Sequence, residues 1–125
     1  MTMKWRNITG WVLSGVAGLM LGASAIDKIV KSGHALEMGA SFGLSAEIYS
    51  LLGIIEILSV ALFLYKITGI LGTLLLSSYL GGAIATHLQH QQDVLFPAFF
   101  EALIWVTAVI RFPELTGRLY NKQII

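Results

Sequence analysis

Cysteine is absent from the 125-residue sequence. That excludes disulfides, thiol–disulfide exchange, iron–sulfur ligation and thiolate zinc sites. Charge is scarce as well. Asp, Glu, Lys and Arg make up 12% of the residues, against about 25% in a soluble domain. The net charge is +1, so no basic field points to nucleic acid. There is no internal repeat and no low-complexity tail. What fills the chain instead is apolar side chain, at 56% hydrophobic residues and a mean hydropathy of +0.78. A soluble core this small cannot hide that much apolar surface, so lipid must be part of the solvent.

A membrane span needs roughly 20 mostly apolar residues to cross about 30 Å of hydrocarbon. Four runs qualify: about 8–26, closed by Asp27 and Lys28; about 48–65, closed by Lys66; about 67–88, closed by a Gln/His segment; and about 94–110, closed by Arg111. A spanning segment must satisfy its own backbone groups, which favours helices. The runs do not alternate in polarity as the strands of a membrane barrel would. The expected fold is all-α, an integral membrane four-helix bundle forming a single domain over residues 1–125. Only Lys66 separates the second and third runs, which predicts a tight antiparallel hairpin. The longest connection, Ser32–Ala46, is small and Gly/Ser-rich. Lys4 and Arg6 ahead of an apolar run ending near Ala23-Ser24-Ala25 also resemble a signal peptide, but the run exceeds the usual 7–15 apolar residues.

Four spans place both termini on one side. Lys4, Arg6, Lys66, Arg111, Arg118 and Lys122 fall there, and Lys28 and Lys31 fall opposite. The asymmetry predicts cytoplasmic termini, with Trp5, Trp11 and Tyr120 in an inner interfacial belt. Gly18 and Gly22 form a G-x-x-x-G in the first span, and Gly69, Gly72, Gly81 and Gly82 lie along the third. Small faces of this kind let helices approach closely.

Polar residues within the spans are the candidate functional groups. At 1.5 Å per residue, Glu56 and Tyr79 fall near the middle of their spans. Asp27, Thr86, His87 and Glu101 fall toward the end opposite the termini. This distribution predicts a polar cavity open, or openable, toward that outer face. A carboxylate in the bilayer costs about 2.5–3.5 kcal/mol, so Glu56 should face the interior and be paired or protonated. Each group also has a structural reading: Asp27 as a helix-end cap, Tyr79 as a packed aromatic, His87 as a solvated interfacial side chain and Glu101 as a carboxylate reaching for the interface. His87 and His90 form H-x-x-H, yet no glutamate precedes either by three residues as a di-iron bundle site requires. Facing histidines for haem are also missing. No metal site is expected.

The strings SSYLGGAIATHLQH (77–90), FPAFFEALIW (96–105) and RFPELTGRL (111–119) resemble the DoxX-like family of membrane proteins, as do LMLGASAIDKI (19–29) and LLGIIEIL (51–58). The resemblance covers nearly the whole chain. It implies a four-helix protein of the bacterial cytoplasmic membrane. Relatives are associated with quinone-linked oxidation of sulfur compounds, with membrane complexes of oxidative-stress defence and, distantly, with receptor-assembly chaperoning. Asp27, Glu56, Thr86 and His87 match the family pattern, whereas Glu101 stands where a small or apolar residue is expected. The resemblance supplies no catalytic set.

Two functions remain in view. In the first, the chain is a membrane subunit that binds a quinone between helices, with Tyr79, His87 and Glu56 as polar partners and a separate redox protein as electron source. In the second, it is a non-catalytic protein that binds a lipid or amphiphilic amine, with Asp27 and Glu56 facing the cation, or that assists assembly. Whether the chain is itself catalytic is open in the first reading, and so is its oligomeric state, a homo-oligomer included. A transporter is least favoured, because broken spans and repeats are missing.

Overall fold

The computed structural model describes residues 3–120, apart from the side chain of Tyr120. Lys122 and the Tyr120 ring, part of the charge count and aromatic belt above, lie outside the described residues. The described chain is helical throughout: α1 (Met3–Ile29), α2 (Gly33–Ser41), α3 (Ala46–Leu64), α4 (Gly69–Gln89), α5 (Leu95–Arg111) and α6 (Pro113–Tyr120). Helices α1, α3 and α4 are each long and apolar enough to cross a bilayer. Helix α5 has 17 residues and reaches the required length only together with α6, from which it is bent by 106°.

Helices α1, α3, α4 and α5 close into a ring in which each packs against two neighbours: α1 on α3 and α5, and α4 on α3 and α5. Every adjacent pair is antiparallel. Gly18 of α1 lies against Leu64 at the end of α3, while Ala25, further along α1, lies against Gly53, earlier in α3. Arg6 meets Val109 and Ile110 at the end of α5. Ala17, Leu21, Val60, Phe63, Leu76, Leu80, Phe100 and Ile104 fill the centre. Large apolar side chains such as Leu19, Leu58, Leu74, Phe99 and Val106 point outward, the inverse of a soluble surface and the expected lipid-facing coat.

Glycine sets the closest approaches, though not where G-x-x-x-G alone suggests. A Cβ on Gly22 would meet Ile57 at 3.7 Å, ordinary contact, and one on Gly18 would meet the flexible end of Leu64 at 3.1 Å. A Cβ on Gly72 would fall 2.1 Å from the Phe63 nitrogen, and one on Gly53 would fall 2.8 Å from the Ala25 carbonyl oxygen and from Lys28 Cβ. Gly72 therefore lets α4 press on the backbone of α3, and Gly53 does the same between α3 and α1. Gly81 and Gly82, further along α4, are exposed.

The Ser32–Ala46 connection is not a plain loop. Ser32 accepts from Ala35 N at 3.0 Å and caps α2. Ser45 accepts from Ile48 N at 3.2 Å and caps α3. Between them, Gly43 takes φ +72°, a left-handed turn that suits glycine. Ala35 and Gly39 are buried, Gly39 beneath Tyr49, and Phe42 is buried against His87 with ring centroids 4.7 Å apart. Thus α2 and Phe42 lie over the end of the bundle away from the termini. Pro97 sits in the first turn of α5, where no helical N–H is lost.

Candidate functional site

Helix α1 runs through Asp27 and Lys28 to Ile29, and its last turn rotates Lys28 inward until only 9% of the residue is exposed. Gly53 makes this arrangement possible, because its missing side chain leaves room for the Lys28 stem one turn before Glu56. Lys28 Nζ then donates to Glu56 Oε1 at 2.9 Å and to Ser24 Oγ at 2.6 Å. Tyr79 Oη donates to the same Glu56 oxygen at 3.1 Å. The ammonium also lies 5.5 Å from the Tyr49 ring centroid and 5.9 Å from that of Tyr79, within cation–π range. Glu56 itself is 1% exposed.

This is a buried, charge-neutral cluster contributed by α1, α3 and α4. Its attraction is strengthened by the low-dielectric surroundings, but so is the cost of desolvating both ions. Breaking it from one side would strand a charge, which makes it a strong constraint on how α1 and α3 are rotated.

The structure joins two of the expected site residues, Glu56 and Tyr79, and holds the other four apart. Asp27 turns away from Lys28 toward α2, accepting from Ser32 Oγ and lying 3.0 Å from His34 Nδ1. Thr86 Oγ1 donates to Gly82 O at 2.9 Å within its own helix. His87 Nδ1 lies 2.6 Å from Ala83 O, also within α4, with its ring against Phe42. Glu101 faces α4 at Gly81, and its buried Oε1 has no hydrogen-bond partner among the described residues. Sequence reasoning missed Lys28 as Glu56's partner. The available signal was a lysine beside an apolar helix end, which reads equally well as a solvated terminus.

Glu56 and Tyr79 lie near the midpoints of α3 and α4, level with the stretch of α1 that holds Gly22 and Ala25. The polar cavity expected to be open, or openable, toward the α2 end is covered in this structure: α2 and Phe42 lie over that end, and the Glu56 carboxylate is enclosed. Two concave surfaces lie at the termini end: an apolar groove of about 450 Å³ beside Leu58, Leu62 and Thr68, and a mixed cavity of about 310 Å³ beside Trp11, Lys66 and Arg111.

Among the described residues no group of three or more His, Asp or Glu side chains is placed to hold a metal ion. His87 and His90 both direct Nδ1 to backbone carbonyls of α4.

The helices, their lipid-type coat and their buried ion pair describe a multi-pass membrane protein. No curated protein and no solved structure matches the chain. Residues 12–107, a stretch that includes Lys28, Glu56, Tyr79 and Glu101, match the DoxX-like family, and the chain is a member of that family.

Proposed function

We propose that this chain is a four-span subunit of the bacterial cytoplasmic membrane, with cytoplasmic termini, that binds a quinone at the Lys28–Glu56–Tyr79 cluster and serves a separate oxidoreductase. The observation that carries the reading is that the cluster is rich in donors yet neutral. Lys28 and Tyr79 both donate to one carboxylate oxygen, and the Lys28 charge cancels that of Glu56. A neutral ligand with carbonyl oxygens can take over those donors without adding charge to a buried site. An amphiphilic amine would bring a second cation to a carboxylate already neutralised, which argues against the amine alternative.

In this reading Lys28 and Tyr79 would orient the carbonyl, and Glu56 would hold the ammonium in place. A bound quinone would supply two-electron, two-proton chemistry, with the electrons from the partner protein and the two protons from water, relayed by Glu56. Access requires α2 and Phe42 to shift from the end of the bundle. His87, packed on Phe42, would sense that shift rather than touch the ligand.

A second reading is favoured by the complete internal pairing of Lys28, Glu56 and Tyr79. The cluster is then a structural lock, and the chain is a non-catalytic lipid-binding or assembly protein.

Native mass spectrometry of the protein gently extracted from its own membrane separates the two. The Tyr79→Phe variant keeps the ion pair and therefore the fold. A quinone adduct on the unaltered protein, diminished in Tyr79→Phe and lost in Glu56→Gln, is the expected result. Ordinary phospholipid alone on all three forms would sink the quinone reading and leave the structural one.

A further inference from the structure

The end of the bundle that carries the termini has an unbalanced charge. Lys4, Arg6, Lys66, Arg111 and Arg118 lie there against one carboxylate, Glu114, among the described residues. Among the described residues the lysine and arginine ion pairs reduce to Lys28–Glu56, away from this end, and none of these five cations lies within ion-pair distance of a described carboxylate.

The 310 Å³ cavity at this end is walled by Asn7 and Trp11 of α1, Lys66 of the α3–α4 turn, and Arg111, Phe112 and Glu114 where α5 passes into α6. Arg111 is fixed in the wall. It donates to Phe63 O at 2.6 Å, Leu64 O at 3.2 Å and Ser14 Oγ at 3.2 Å, and its guanidinium lies 4.7–5.1 Å from the Trp11, Phe63 and Phe112 ring centroids. Neutral oxygens and rings occupy its donors and faces without supplying a counter-charge. Lys66 is exposed, and its long stem lets the ammonium swing over the opening. Two cations against Glu114 leave the cavity net positive.

Its depth also fits a headgroup. Helix α6 turns 106° from α5, so with the bundle upright in a bilayer α6 runs along the interface, and the cavity opens at headgroup level. A separate apolar groove of about 450 Å³ is lined by Tyr65 and Thr68, which flank Lys66 in sequence, and by Leu62, Ala61 and Leu58 along α3. It offers an apolar surface to an acyl chain, which a free anion does not need.

We propose that the cavity binds the phosphate of an anionic phospholipid, with Arg111 as the fixed charge, Lys66 as the mobile one and the α3 groove beneath an acyl chain. A zwitterionic headgroup carries its own cation and leaves the net positive wall unneutralised, so it should bind more weakly.

The test is native mass spectrometry of the full chain titrated with phosphatidylglycerol or phosphatidylcholine, with inorganic phosphate as competitor. Lys66→Gln is compared with Lys31→Gln, a lysine of the opposite end. One phosphatidylglycerol should be retained in preference to phosphatidylcholine. Lys66→Gln should weaken it about fivefold, from a worth of about 1 kcal/mol for a basic residue near the surface. Lys31→Gln should leave it unchanged, and millimolar phosphate should not displace it. Equal retention of the two lipids, or equal loss in the two variants, would overturn the site. Displacement by inorganic phosphate would make it a free-anion site and overturn the lipid assignment.

Discussion

The two ends of the bundle handle charge in opposite ways. From mid-bundle to the α2 end, Asp27, Glu37, Glu47, Glu56, Asp93 and Glu101 are set against only Lys28 and Lys31, and carboxylates take part in side-chain to side-chain bonds: Lys28 to Glu56, Tyr79 to Glu56 and Ser32 to Asp27. At the termini end the arginines bond to backbone. Arg6 donates to Ile110 O at 2.6 Å and Val109 O at 3.0 Å, closing the carboxyl end of α5. Arg111 does the same for α3 through Phe63 O and Leu64 O. The last carbonyls of any helix lack intrahelical partners and carry partial negative charge. An arginine fork can satisfy two of them from a neighbouring helix. The basic end therefore ties α1 to α5 and α5 to α3 without a carboxylate, whereas the acidic end depends on one ion pair set among hydroxyls.

That contrast predicts unequal consequences of substitution. The largest effect is expected at the ion pair. Glu56→Leu or Lys28→Met alone should cost about 3–5 kcal/mol, because each leaves a buried charge unpaired. The double variant should recover most of that loss. Urea or thermal unfolding in detergent around the double-mutant cycle measures it, and additive losses would show that the two side chains do not act as a pair. Next comes Arg111→Met, expected to cost about 2 kcal/mol, since two carbonyls at the end of α3 lose a charged donor. An effect as large as that of breaking the ion pair would erase the distinction between the ends. Smallest is Arg6→Met, at about 1 kcal/mol: the α5 carbonyls it caps lie near the membrane surface, where water can replace the donor. An Arg6 loss equal to that of Arg111 would show that headgroup water does not reach the end of α5.

Much of the fold was legible. Four long apolar runs, the Lys66 hairpin and the prohibition on unpaired backbone in lipid led directly to a helical bundle. Counting residues put Glu56 and Tyr79 both near mid-span, and the two side chains meet there; the contact itself depends on how the two helices are rotated. Other features could not be read this way. Ser32–Ala46 looked like a loop because Gly33, Gly39 and Gly43 lower helix propensity, yet Ser32 caps a short helix whose buried side is supplied by Tyr49 and the bundle end. Gly18 and Gly22 carried the motif, but Gly53 and Gly72 make the backbone contacts, since which glycine meets a neighbour depends on helix rotation. Glu101 read as a candidate and remains one in geometry, with a buried oxygen and no protein partner among the described residues.

The chain by itself determined its solvent, its helical character and the segregation of charge between the two ends, because each follows from composition and from spacing along one helix. Only the tertiary structure decided where Lys28 points. A lysine in the last turn of a helix can reach water or fold inward, and both choices satisfy its own helix. The choice was made by α3, whose Gly53 yields space for the lysine stem and whose Glu56, one turn further on, offers the charge that makes burial of the ammonium worthwhile.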